Sequence, residues 1–272
     1  LASLLQQDVK VRFCEKPFTY NGKNYNRGTL LVLKGNNIAN WKELTNEACK
    51  KFNIQAEDVE SGFVDKGADF GSEEIKLIKA PKVALLTGTG VSSSAAGEVW
   101  NYFDQTLNYP VTQLNAGRMG KLNAYDVLIV PDGDYSFDDK QTEDELKNFV
   151  QKGGKIIALE SGASQIAGLD FGFNLKKSDD EDSSKSKSDT DYKSLKKYGD
   201  RERDDLRNAI PGAIFRVELD NTHPLAFGYP DFYYTLKQDN KLYDFLKDGW
   251  NVGVLKQSNY ISGFVGSKLK PK

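Results

Sequence analysis

Three short apolar runs, each cut off by a turn, constrain the fold of this chain more than any other feature. Val83-Ala84-Leu85-Leu86, Val127-Leu128-Ile129-Val130 and Ile156-Ile157-Ala158-Leu159 lack the apolar-polar alternation of a strand with one wet face. Continuous runs of this length are what a parallel strand covered on both sides requires. Gly88-Thr89-Gly90 ends the first run and Pro131-Asp132-Gly133 the second, while Gly153-Gly154 precedes the third. Between them lie stretches of helical period. Ser92 to Leu107 puts Val99, Trp100, Phe103 and Leu107 on one face, and Thr142 to Val150 turns Leu146, Phe149 and Val150 inward. With Val111 to Leu114 as a further strand and Ala163 to Gly168 as the start of another helix, strand and helix alternate throughout. Such alternation predicts right-handed crossovers and a doubly wound, flavodoxin-like sheet from about Ala80 onward.

Residues 1–79 are predicted to form a smaller α/β unit. Leu1 to Leu5 reads as the last turns of a helix whose beginning is missing, and it is too short for a signal peptide. Val9 to Phe13 alternates like a half-buried strand, and Thr29 to Leu33 reads as a more buried one. Asn21-Gly22 between aromatic flanks is the strongest short hairpin signal. Ala39 to Phe52 carries Trp41, Leu44, Ala48 and Phe52 on one face, with Asn40 as its expected cap. Asp58 to Ser72 is polar and glycine-punctuated, hence a loop. The second domain is expected to span 80–272, interrupted at 176–205 by a serine-rich insertion dense in charges of both signs. That composition cannot bury enough apolar surface to fix a shape. Ala213 to Leu219 restores a strand.

A net charge of −2 argues against a general nucleic-acid or anionic-membrane binder. No apolar run approaches the ~20 residues needed to cross a bilayer. The single histidine, His223, excludes a His-rich catalytic zinc site, which draws two or three imidazoles. Cys14 and Cys49 read as small buried hydrophobes, and sequence alone does not show whether they pair.

The sharpest catalytic candidates are Glu160, Ser161 and His223. Glu160-Ser161 follows a buried strand, where α/β hydrolases and amidotransferases carry a nucleophile, and an imidazole base would complete an acyl-transfer set. Against it, Leu159 and Ala163 stand where a G-x-S-x-G motif centred on Ser161 needs glycine. For ligand binding the candidates are Gly88, Gly90 and Ser92, in a loop that offers backbone N–H groups at a helix start, and Asp132. Asp132 and Asp134 flank Gly133 at a strand's C-terminal end, where they either hold a hard cation or close a turn. Tyr229, Phe232, Tyr233 and Tyr234 either line a sugar or peptide groove or pack on a sheet edge.

Five segments together resemble one family. They are Glu15 to Thr19, Ser61 to Asp65, Pro81 to Trp100, Tyr125 to Gly133 and Ile210 to Gly228. They are similar to the C-terminal half of large secreted bacterial zinc carboxypeptidase-like proteins, in which a class I glutamine amidotransferase-like domain follows the metallopeptidase domain. The resemblance implies an amidotransferase-like fold, an exported protein, and a partner in the parent's peptidase domain, which would hold the zinc. No cofactor or metal ligand is implied in these residues, because the family's His-x-x-Glu pair and later histidine find no match. Glu160 stands where the active amidotransferase pattern has cysteine, and His223-Pro224-Leu225 matches only part of the His-Pro-Glu of that pattern. The implied role is a non-catalytic accessory domain. A glycan- or peptide-binding module and a residual Ser-dependent hydrolase are the alternatives.

Overall fold

The computed structural model describes residues 1–176, 197–207, 209–267 and 269. They fall into two compact units, Leu1–Phe171 and Gly172–Lys272. The boundary therefore lies at 171/172, where sequence placed it at 79/80. Leu5 and Ile78 explain the difference, because they pack with Val83, Leu85, Tyr109 and Ile129 in one hydrophobic cluster. The residues before 80 share a core with the strands that follow.

In the first unit, α1 (Ala2–Gln6) leads into β1 (Val11–Cys14). The hairpin β2 (Phe18–Tyr20) and β3 (Lys23–Tyr25) turns at Asn21 and Gly22, both with positive φ, as the Asn-Gly signal requires. Next come β4 (Leu30–Val32), α2 (Trp41–Phe52) and β5 (Ile75–Leu77). β1 is the centre of an antiparallel sheet of order β4-β1-β5. Asn40 stands at the N-cap of α2 but its side chain accepts no bond from the helix, so the expected cap is not used. Trp41, Leu44 and Ala48 pack on Val9 and Val11.

The parallel sheet contains β6 (Val83–Thr87), β7 (Val111–Asn115), β8 (Val127–Val130) and β9 (Lys155–Ala158), in the order β7-β6-β8-β9. Counted within the sheet this is second, first, third, fourth, which is the flavodoxin-like order. All three pairings are parallel. The first crossover steps one way and the last the other, so right-handed connections put α3 (Ser93–Asn101) and α4 (Lys140–Gln151) on opposite faces. The expected doubly wound α/β sheet is present. α3 passes into a π-helical turn at Tyr102–Leu107. Val99, Phe103 and Leu107 reach the core, while Trp100 stays 44% exposed, contrary to the inward position its spacing predicts. Val150 at the end of α4 is also exposed. α5 (Ser161–Ala167) starts directly after the strand turn, two residues earlier than predicted.

Among the described residues of the second unit, a 3₁₀ turn at Tyr198–Asp200 leads into α6 (Arg201–Arg207). This corrects the tail of the predicted structureless insertion. Glu202 and Asp204 sit in the first turn and Arg207 in the last, signs that complement the helix dipole. Arg207 pairs with Asp204, and Arg201 lies over the Tyr198 ring. The rest of that insertion, 177–196, lies outside the described residues. β10 (Gly212–Leu219), β11 (Phe232–Lys237), β12 (Gly253–Val254) and β13 (Tyr260–Phe264) form an antiparallel sheet centred on β10. Ala213 and Phe215 carry its buried face with Ile210. No described helix is long and apolar enough to cross a membrane.

Candidate functional site

The C-terminal ends of β6, β8 and β9 converge on one turn. Leu159 donates its amide to the Val130 carbonyl (2.9 Å), which carries the β8–β9 ladder one residue past β9. The chain then reverses at Glu160, whose φ of 49° and ψ of −122° lie outside the regions that L-residues favour. Ser161 begins α5, and Gly162 passes so close to β8 that a Cβ there would stand 2.5 Å from the Val130 carbonyl oxygen and 2.6 Å from that of Pro131. A strained apex between strand and helix, followed two residues on by a glycine in contact with the neighbouring strand, is the geometry of a nucleophile elbow. Its apex residue is Glu160, with its side chain exposed.

Ser161 does not present a free hydroxyl. Its Oγ accepts from the Gly133 amide (3.0 Å) and lies within bonding range of the Asp132 carboxylate and, at 3.0 Å, the Gly133 carbonyl oxygen. Its amide donates to Asp132 Oδ1 (3.2 Å). Asp132 thus caps the start of α5 from the neighbouring loop, and Ser161 ties the elbow to the β8 turn. This loop is tied to the β6 turn as well. Ser92 donates its amide to the Asp132 carbonyl (2.9 Å), Asp134 donates to the Gly90 carbonyl (2.8 Å), and Val91 bridges Gly133.

The ligand-binding candidates Gly88, Gly90, Ser92 and Asp132 are therefore brought together, but largely spent on one another. Gly90, at φ 83°, leaves no room for a side chain against the Asp134 carbonyl. Gly88 abuts the Asn115 amide. Ser92 caps α3 by accepting from the Ala95 amide (3.4 Å). The crevice between β6 and β8, where open α/β sheets bind ligands, is laced shut by backbone bonds. Between the two readings of Asp132-Gly133-Asp134, the geometry is that of a closed turn.

His223 belongs to the second unit. Its Nδ1 accepts from the Leu225 amide (3.2 Å), capping the 3₁₀ turn Pro224–Ala226, and its own amide donates to the Asp220 carbonyl (3.2 Å). The imidazole acts as a turn cap. Phe232, Tyr233 and Tyr234 lie on β11, with Tyr233 and Tyr234 half exposed, and Tyr229 meets Tyr233 edge to face. Sequence reading missed this strand as a unit. Cys14 and Cys49 are both free thiols. Among the described residues no three His, Cys, Asp or Glu side chains gather as a metal-ligand set.

Sequence reading also missed Gly162 and Tyr135. The first was visible in Ala158-Leu159-Glu160-Ser161-Gly162, a small-x-apex-x-Gly string centred on Glu160. Tyr135 carried no signal. Its hydroxyl donates to the Pro131 carbonyl (2.5 Å).

Two properties follow. Strain at the apex makes Glu160→Gly stabilising by about 1 kcal/mol, since glycine adopts positive φ without penalty; the urea midpoint should rise. Burial pushes the Tyr135 phenol up to about 12, helped by the nearby Asp132 charge, and burial pushes the Cys14 thiol up to about 11. A raised pKa means that the folded state keeps its proton longer than the unfolded chain. The Tyr135 contribution is complete below the unfolded tyrosine value of ~10 and is lost as pH rises toward 12. Urea midpoints should fall over that window, and less steeply in Tyr135→Phe.

Neither any protein-family model nor any curated protein matches the chain. Two solved structures from Thermotoga maritima are similar to it. A glutamine amidotransferase aligns with TM-score 0.41 and 13% identity over 70% of this chain and 74% of its own. PurLQS aligns with TM-score 0.40 and 12% identity, over 71% and 80% respectively.

Proposed function

We propose that the chain is a non-catalytic accessory segment that keeps an amidotransferase-type elbow without its nucleophile. It serves an exported zinc carboxypeptidase-like protein whose metallopeptidase site, and its zinc, lie outside these residues. The observation that carries the reading is Glu160 at the apex. Glutaminase chemistry at an elbow needs a thiolate that attacks the amide carbonyl and departs from a thioester. A carboxylate there is the weaker nucleophile, and attack on an amide would have to expel an amine from an anhydride-forming adduct. The neighbouring hydroxyl is bound to Asp132 and Gly133, so a Ser-dependent hydrolase requires Ser161 to leave both partners and to acquire a base. The partner in this reading is the peptidase domain of the same protein.

The test is turnover of peptide substrates by the 272-residue chain, with and without added zinc. No turnover is expected in either case. Hydrolysis abolished by a chelator would overturn the reading. A glycan- or peptide-binding module is the second reading, favoured by the half-exposed rings of Tyr233 and Tyr234 on β11 and by the exposed Phe245 and Trp250. It requires a saturable thermal stabilisation by an oligosaccharide or peptide.

A further inference from the structure

Among the described residues the parallel sheet ends at β9, whose outer edge is open and self-complementary. In the β8–β9 ladder Lys155 donates to Asp126 and Leu159 to Val130, so residues 155, 157 and 159 spend their backbone groups on β8. The alternate residues, Ile156 and Ala158, point their N–H and C=O groups away from the sheet. No backbone partner meets them among the described residues. Apart from Lys155 at its start, β9 carries no charged side chain. Ile157 is 47% exposed and Leu159 37%, and β9 has neither a proline nor a bulge. Natural sheets cover or blunt such edges.

We propose that β9 pairs with β9 of a second copy of this chain, antiparallel about a two-fold axis through Ile157. The register follows from which groups are free. Ile156 of one copy faces Ala158 of the other, and Ala158 faces Ile156. Both are hydrogen-bonded pairs, so all four outward N–H and all four outward C=O groups find partners. Ile157 then meets its own copy in a non-hydrogen-bonded pair, where side chains come closest, and Leu159 lies across from the aliphatic stem of Lys155. The charges agree with this register. Lys155 and Glu160 are both exposed, neither forms an ion pair among the described residues, and the antiparallel register sets the Lys155 of each copy beside the Glu160 of the other. A closed isologous pair joins two four-stranded parallel sheets into one and leaves no β9 edge for further growth.

The experiment traps the pair through Ile157→Cys in the full chain with Cys49→Ser; Cys14 is buried with its thiol pKa raised, so it reacts slowly. Cα atoms about 4.5 Å apart across a non-hydrogen-bonded pair lie within the span of a disulfide. With oxidised glutathione, Ile157→Cys should form a species of twice the 30.4 kDa chain mass at least ~10-fold faster than Phe63→Cys, a control on another exposed site. Adding Lys155→Glu should slow that cross-linking, and adding Glu160→Lys to it should restore the rate. Cross-linking no faster than at residue 63, or a rate indifferent to the charge swap, would overturn the proposal.

Discussion

Gly162→Ala is expected to destabilise the chain by about 3 kcal/mol, a severe effect for a single methyl group. The added Cβ would meet the Val130 and Pro131 carbonyl oxygens at 2.5 and 2.6 Å. Both belong to backbone whose bonds to Leu159 and Tyr135 hold them in place, so neither can give way as a flexible side chain would. Relief must come from moving α5 away from β8, which also stretches the bonds from Ser161 to Asp132 and Gly133. Gly97→Ala is the matched control. It lies inside α3 with nothing within 4 Å of the new Cβ, and it should stabilise by about 0.5–1 kcal/mol. Urea midpoints of the two variants should move in opposite directions. Equal midpoints would mean that the elbow does not press on β8.

Leu85→Ala is expected to cost about 3 kcal/mol through a cavity that the parallel sheet cannot fill by collapse. Leu85 is fully buried on the first strand of that sheet and packs among Leu5, Val83, Tyr109 and Ile129. Its neighbours come from α1, from both flanking segments and from β8, so the vacancy opens at the junction that unites residues before and after 80. A unit of 171 residues should lose roughly 2–4 °C of melting temperature per kcal/mol. Trp100→Ala, by contrast, removes a larger side chain from a half-exposed position and should cost less than Leu85→Ala. The reverse ranking would place Trp100 on the inward face of α3 that its spacing predicts, contrary to its exposure.

How far the sequence could be read depended on the range of the interaction. Continuous apolar runs are local, so Val83 to Leu86 and Val127 to Val130 were legible as covered parallel strands, and Asn21-Gly22 as a hairpin turn. β9 has the same apolar signature but lies at the sheet edge among the described residues, since composition does not tell a central strand from an edge one. α6 was hidden because charge density was read as absence of structure, whereas the order of its signs suits a helix dipole. At the site, the apex position of Glu160 was legible from the strand-turn-helix pattern. The bonds between Asp132 and Ser161 were not legible, because they join loops 29 residues apart. Nor could sequence show that His223 caps its own turn, although a histidine before proline at a helix start is a short-range arrangement.

Labelling by a fluorophosphonate, read by intact mass, tests most directly whether the elbow has kept its shape and lost its chemistry. Such reagents form a stable adduct only with a serine whose hydroxyl is activated by a base and faces an oxyanion site. With Glu160 at the apex and the Ser161 hydroxyl held by Asp132 and Gly133, the chain should keep its unmodified mass after exposure that saturates a serine hydrolase run alongside it. A stoichiometric adduct that disappears in Ser161→Ala would contradict the account.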